Sequence, residues 1–174
     1  MAVEDDHPSN PDTESREPTL EDLRDLCREL NQRSARYVVI GGFAIRAAGY
    51  VRSTMDVDLL VAADHDNEAR VFSALATLPD NAVRELQPGE LGQYAVIRVA
   101  DEILVDLMRA AGGIEYDEAA KDVSVRDVDG VPIPFASPRL LWRMKMVTHR
   151  EKDSGDLVFL RHWFAQRGEE PPPV

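Results

Sequence analysis

Two aspartates one residue apart, in Asp56-Val57-Asp58-Leu59-Leu60-Val61, are the residues of this chain with the clearest chemical potential. On an extended strand alternate side chains point to one face, with alpha carbons about 6.5–7 Å apart. Carboxylates held that close repel each other unless a cation lies between them. Ligands that are all oxygen select a hard ion such as Mg2+ or Mn2+. A third acid, Asp106, sits inside the apolar stretch Ile103-Leu104-Val105-Asp106-Leu107-Met108. If that stretch is a strand lying beside the first, three carboxylates meet at one edge of a sheet. Such a trio can hold two divalent ions about 3.5–4 Å apart, an arrangement suited to in-line displacement at phosphorus.

Gly41-Gly42 supplies a complementary part. It follows the apolar run Tyr37-Val38-Val39-Ile40 and precedes the helix-like Phe43-Ala44-Ile45-Arg46-Ala47-Ala48. A helix start after a strand turns free backbone N–H groups toward an anion, and glycine lets a phosphate approach the backbone. Each feature has a plainer reading by itself. A glycine pair after a strand is usually a tight turn, and Asp-Val-Asp alternation usually marks a half-solvated strand. Order, spacing and chemistry together are more specific than either part.

The elements that must position these residues follow from the apolar pattern. Residues 37–40 and 56–61 read as strands, the first continuously apolar as in a buried strand. Thr19 caps a helix reaching about residue 32, with Asp22 completing a capping box and Leu20, Leu23, Leu26, Cys27 and Leu30 on one face. A helix is expected over 67–78, then strands over 94–99 and 103–108 with Asp101-Glu102 as the turn. A hairpin, 123–128 and 131–135, closes around Asp129-Gly130. Ser137-Pro138 opens a helix that carries Leu140, Leu141, Met144 and Val147 inward. A last helix runs from about 153 to 166, and Trp142, Phe159, Leu160, Trp163 and Phe164 read as packing residues. The fold class is α/β (α+β): a small mixed sheet flanked by helices, with a short C-terminal helical pair. Residues 1–18 form a disordered acidic tail, 19–136 the core, 137–168 the helical part of the same domain, and 169–174 a tail.

Composition narrows the function classes. The 174 residues carry a net charge of −12, and the first thirty hold ten of the 32 acids but three of the 20 bases. The body is therefore mildly negative, which excludes a globally basic nucleic-acid binder. One cysteine, Cys27, excludes an internal disulfide, a zinc ribbon and a CxxC redox centre. No apolar run is long enough to span a bilayer, and the acidic N-terminus is unlike a secretory signal. A cytoplasmic protein is expected.

The stretch from Val38 to Val61 resembles the core motif of the nucleotidyltransferase superfamily that includes DNA polymerase beta: a glycine pair at a strand–helix turn, then a strand bearing Asp-x-Asp, with Asp106 matching the third carboxylate. Gly41-Gly42 with Arg52-Ser53-Thr54-x-Asp56-x-Asp58 is similar to the abortive-infection type, toxins of toxin–antitoxin pairs. Lys145 and Arg150-x-Lys152-Asp153-x-x-Asp156-Leu157 resembles that group's C-terminal motif. The chain departs from many superfamily members in having Gly42 where they carry serine. The resemblance implies transfer of an NMP group from an NTP to an acceptor hydroxyl, with Mg2+ or Mn2+ on Asp56, Asp58 and Asp106. Gly41, Gly42, Lys145, Arg150 and Lys152 would hold the phosphates; Arg52 and Thr54 contact nucleotide or brace the turn. Asp153 and Asp156 either cap the last helix or orient the bases. The acceptor would be tRNA or another RNA, or a protein, with an antitoxin as partner. A small-molecule acceptor, as in antibiotic nucleotidyltransferases, and an inactive nucleotide-binding module are the alternatives.

Overall fold

The computed structural model describes residues 14–174, in which the elements run α1 (Leu20–Gln32), β1 (Tyr37–Ile40), α2 (Gly41–Ala47), β2 (Asp56–Val61), α3 (His65–Leu75), β3 (Val96–Ala100), β4 (Leu104–Met108), β5 (Ala110–Ala111), β6 (Ile114–Glu115), α4 (Tyr116–Ala119), β7 (Val123–Val128), β8 (Val131–Ala136), α5 (Pro138–Thr148) and α6 (Ser154–Gln166). Six strands form one mixed sheet in the order β3-β4-β2-β1-β8-β7. β1 is antiparallel to β2 and parallel to β8, while β2 is parallel to β4. The hairpins β3–β4 and β7–β8 extend the sheet at its two sides. All four residues of β1 are buried, as the uninterrupted apolar run requires of a central strand.

The helix ends follow local chemistry. Thr19 Oγ1 accepts from the Asp22 amide and the Asp22 carboxylate accepts from the Thr19 amide, the reciprocal capping box expected from sequence. Leu23, Leu26, Cys27 and Leu30 are buried beneath α1, but Leu20 is half-exposed at its first turn. Ser137 caps α5 through the Leu140 amide, with Pro138 at its first turn. Val147, expected inward, faces solvent; at 100° per residue the inward arc is taken by Leu140, Leu141, Trp142, Met144 and Lys145, and Val147 falls just past its Leu140 edge. Helix α3 starts two residues earlier than expected because Asp64 caps it, and it ends at Leu75.

Residues 1–13 of the expected disordered tail lie outside the described residues. Ser15 and Arg16, also assigned to that tail, are tied down: Ser15 Oγ donates to the Asp101 carbonyl and the Arg16 amide donates to the Glu102 carbonyl at 2.9 Å. Between α3 and β3 the chain makes two short 3-10 turns, Ala82–Glu85 and Glu90–Gly92, with no strand or α-helix. Two buried carboxylates organise this stretch. Glu68 accepts from the Gly89 and Leu91 amides, and Asp101 accepts from the Asp80, Ala82 and Glu102 amides. A segment poor in apolar residues is thus ordered by satisfying its backbone donors.

Candidate active site

The register of β2 on β4 places Asp58 directly beside Asp106. Asp56, two residues back on β2, points to the same face. One carboxylate oxygen from each of the three lies within 4.8 Å of the others. The third strand thus lies where the sequence required it, and its aspartate faces the pair.

Gly41 sits against this cluster with φ +66°, a left-handed conformation. A Cβ there would lie 2.1 Å from Asp58 Oδ2 and 2.9 Å from Asp58 Cγ. The position is therefore glycine because Asp58 occupies the space that any side chain would need. Gly42 serves a different contact: a Cβ on it would fall 2.6 Å from the Thr54 Cβ. Gly42 packs against Thr54 and does not line the cleft, whereas Gly41 does.

An arginine that sequence reasoning passed over completes the cluster. Arg98 on β3 donates from Nε to Asp106 Oδ1 and from Nη2 to Asp106 Oδ2, each at 2.9 Å, and from Nη2 also to Asp56 Oδ2 at 2.9 Å. Its position follows from register: Arg98 pairs with Asp106, and Asp106 with Asp58, so the three form a row across three strands. A two-residue turn at Asp101-Glu102 would have paired Ala100 with Ile103 and put Arg98 opposite Val105. The real connection is residues 101–103, with Ala100 paired to Leu104. One residue of slip changes which side chains face each other. The signal that could have found Arg98 was Asp101, whose carboxylate holds the wider turn.

Burial, then the nearby charges of Asp56 and Asp106, push the Asp58 carboxyl up to about 7. Asp56 is also raised, first by burial and then by Asp106, with Arg98 opposing. The hydrogen bonds to Asp106 hold the Arg98 guanidinium protonated still more firmly. The cluster therefore carries excess negative charge that one guanidinium offsets in part, and its donors are all hard carboxylate oxygens. That donor set fits a divalent cation.

These residues open on a cleft of about 370 Å3. Its floor holds Gly41, Asp56, Asp58 and Asp106; its far wall comes from α5 and the segment after it, with Lys145, Thr148, Arg150 and Lys152. Arg98 and Gly112 also line it, and apolar Ile40, Val96, Met108, Ala110, Ala111, Leu141 and Met144 complete the lining. Gly112 and Gly113 make the tight turn of the β5–β6 hairpin with φ +56° and +77°. A Cβ on Gly112 would sit 2.6 Å from the Met144 carbonyl oxygen, so this hairpin packs directly on α5.

The remaining basic candidates are bound into a chain of ion pairs. Arg52 grips Asp156 with Nε and Nη2, both at 2.8 Å. Lys145 Nζ bridges Asp156 Oδ2 at 3.0 Å and Asp153 Oδ1 at 2.9 Å, and Arg150 Nε reaches Asp153 Oδ2 at 3.3 Å. Of the two sequence readings for Asp153, capping is overturned: it stands at the N-cap position of α6 without a side-chain cap bond, because its carboxylate is engaged by Lys145 and Arg150. Burial raises the Asp153 pKa, but the Lys145 hydrogen bond and charge outweigh it and leave the carboxyl below its usual range. Arg52 and Thr54 stand outside the cleft lining and brace the entrance to β2, Thr54 Oγ1 donating to the Asp56 carbonyl at 3.0 Å. Arg139 and Arg143, also on α5, pair with Glu169 and Glu118. Among the described residues Lys152 makes no ion pair, and it lines the cleft.

A mixed sheet with a glycine bend leading to an Asp-x-Asp strand and a third acid on its neighbour defines a nucleotidyltransferase-type protein. The chain belongs to the family described as nucleotidyl transferase of unknown function (DUF2204), whose pattern matches residues 19–167. No curated protein matches the sequence. Among solved structures, an antigenic nucleotidyltransferase-like protein from Paracoccidioides brasiliensis is similar, with a TM-score of 0.52 at 17% identity over 83% of this chain and 74% of that one. A protein from Thermotoga maritima assigned to the nucleotidyltransferases aligns with a TM-score of 0.48 and 16% identity, over 85% of this chain and 93% of that one.

Proposed function

We propose that the protein transfers an NMP group from an NTP to an acceptor hydroxyl in a Mg2+- or Mn2+-dependent reaction. The observation that carries this reading is the convergence of Asp56, Asp58 and Asp106, with one oxygen of each within 4.8 Å of the others, in a cleft shared with Gly41 and the basic residues of the opposite wall. The three carboxylates would hold the ions. A divalent ion there supplies positive charge to the phosphates and lowers the pKa of the acceptor hydroxyl.

The chain's own groups do the rest. Asp106 accepts the hydroxyl proton as the acceptor oxygen attacks the α-phosphorus. The bond from that phosphorus to the bridging oxygen then breaks, and pyrophosphate leaves. Arg150 and Lys152, exposed on the wall, and Lys145 behind them orient the phosphates, while the side-chain-free bend at Gly41 makes room for the Asp58 carboxylate. Removing Asp58 tests the assignment. With labelled NTPs, Mg2+ and an acceptor mixture, Asp58→Ala is expected to lower transfer at least about a hundredfold, as loss of a group acting on the transition state does. Undiminished transfer rejects it.

Lys145, Arg150 and Lys152 on the cleft wall, with Asp153 and Asp156 paired to Lys145 behind it, support a toxin-type enzyme with a tRNA or other RNA end, or a protein, as acceptor. On that reading the chain works in the cytoplasm beside an antitoxin, and its expression alone arrests growth. The acidic body confines any RNA contact to the rim around Arg150 and Lys152. A small-molecule acceptor is the second reading, favoured by a cleft of about 370 Å3, which is the size of a small-ligand site. The same acceptor mixture separates the two.

A further inference from the structure

We propose that Arg98 is a built-in competitor for the divalent-ion site. Its guanidinium holds the acidic cluster together while no ion is bound and must leave the carboxylates before an ion enters. The inference rests on the metal-dependent reading above.

Three observations carry it. The guanidinium occupies both oxygens of Asp106 and one of Asp56, at 2.9 Å each, so it uses donors from two of the three prospective ligands. A planar N–H fork on a carboxylate is a strong, geometrically specific pairing. Second, no other cation takes its place within ion-pair distance. Among the described residues Lys145 and Arg150 are committed to Asp153 and Asp156, and Lys152 reaches no carboxylate. Third, the arginine is the partner free to move. Arg98 stands on the outermost strand β3 with its side chain 53% exposed, whereas that of Asp106 is 9% exposed.

A divalent ion on the same oxygens would face the guanidinium at a few ångströms, where like charges repel strongly. Ion and arginine therefore exclude each other. The apparent affinity for the ion falls in proportion to the fraction of molecules with Arg98 undocked; a docked-to-undocked ratio of about ten weakens it about tenfold. The counterion thus keeps the carboxylates assembled before ion entry and weakens ion binding.

The test is a Mn2+ titration of the full chain by calorimetry, with thermal melts in EDTA, on the wild type, Arg98→Ala, Arg98→Lys and Asp58→Asn. Arg98→Ala is expected to bind Mn2+ about tenfold more tightly, and to melt below wild type in EDTA but not in saturating Mn2+. Arg98→Lys, which keeps the charge but loses the fork, falls between them. Equal or weaker Mn2+ binding by a folded Arg98→Ala overturns the competitor role and leaves the metal site standing. Folded proteins that bind no Mn2+ at all, or an Asp58→Asn variant that binds it like wild type, overturn the metal-dependent reading and this inference with it.

Discussion

Gly41 is glycine for two separate reasons. Its φ of +66° penalises any L side chain, and a Cβ would overlap Asp58 Oδ2. Gly41→Ala is expected to lose about 1–2 kcal/mol from the backbone conformation alone, and further stability from displacing Asp58. A urea melt would read the loss, and Mn2+ titration would read weaker binding from the shifted carboxylate. Retained stability and affinity would mean that the bend relaxes without touching the cluster. The need for a side-chain-free bend was legible in the sequence, because a strand followed by Gly-Gly is a local pattern. Its cause was not, since Asp58 arrives from a strand seventeen positions later. Arg98 was hidden for a related reason. Its partners depend on the length of the turn at 101–103, and that turn is held by an aspartate bonded to amides some twenty residues earlier.

The loop entering β2 and the two C-terminal helices are joined by five side chains, Arg52–Asp156–Lys145–Asp153–Arg150. Asp156 links Arg52 to Lys145 in this chain and is buried, with 2% of its side chain exposed. Removing one member of a buried pair leaves the other charge uncompensated, at a cost of about 3–5 kcal/mol. Asp156→Ala is therefore expected to lower the urea midpoint substantially, and replacing Arg52 as well should cost less than the sum of the two single changes. Additive losses would show that Arg52 and Asp156 do not act as a pair. The sequence marked all of these but Arg52 as a cluster of bases and acids around one helix end. It left open whether the acids cap or pair, because that choice depends on where α5 places Lys145 relative to α6. The same dependence turned Val147 outward: Trp142 and Lys145, both buried, rotate the inward face of α5 away from the side on which valine lies.

Across the molecule, opposing carboxylate shifts set the pH dependence of the metal-free protein. Asp22, held down to about 2 first by the Arg16 hydrogen bond, and Asp153, also lowered, stabilise the fold above the ordinary carboxylate range. Their contribution is lost as the pH falls below about 4. Asp58 acts in the opposite sense. Its raised carboxyl binds a proton more tightly in the folded state, so stability declines as the pH rises from about 4 through about 7. Melting temperature in EDTA is thus expected to peak on the acid side of neutrality, and Asp58→Asn should flatten the decline toward pH 8. A wild-type curve that keeps rising through pH 7 would contradict the Asp58 shift. No helix among the described residues is long and apolar enough to cross a membrane.

From the sequence by itself came the six strands of the main sheet, though not the β5–β6 hairpin, the caps of α1 and α5, the Asp129-Gly130 hairpin and the three acids as one prospective cluster. All of these rest on periodicity, or on bonds made within a few residues along the chain. Only the tertiary structure decided that β4 lies beside β2 with Asp106 level with Asp58, that Arg98 reaches both Asp106 and Asp56, and that Lys145 is shared between two buried aspartates. Those outcomes depend on strand register and on competition among charges brought together from distant segments. A one-residue change in a turn alters the register, and no single segment records how such a competition resolves.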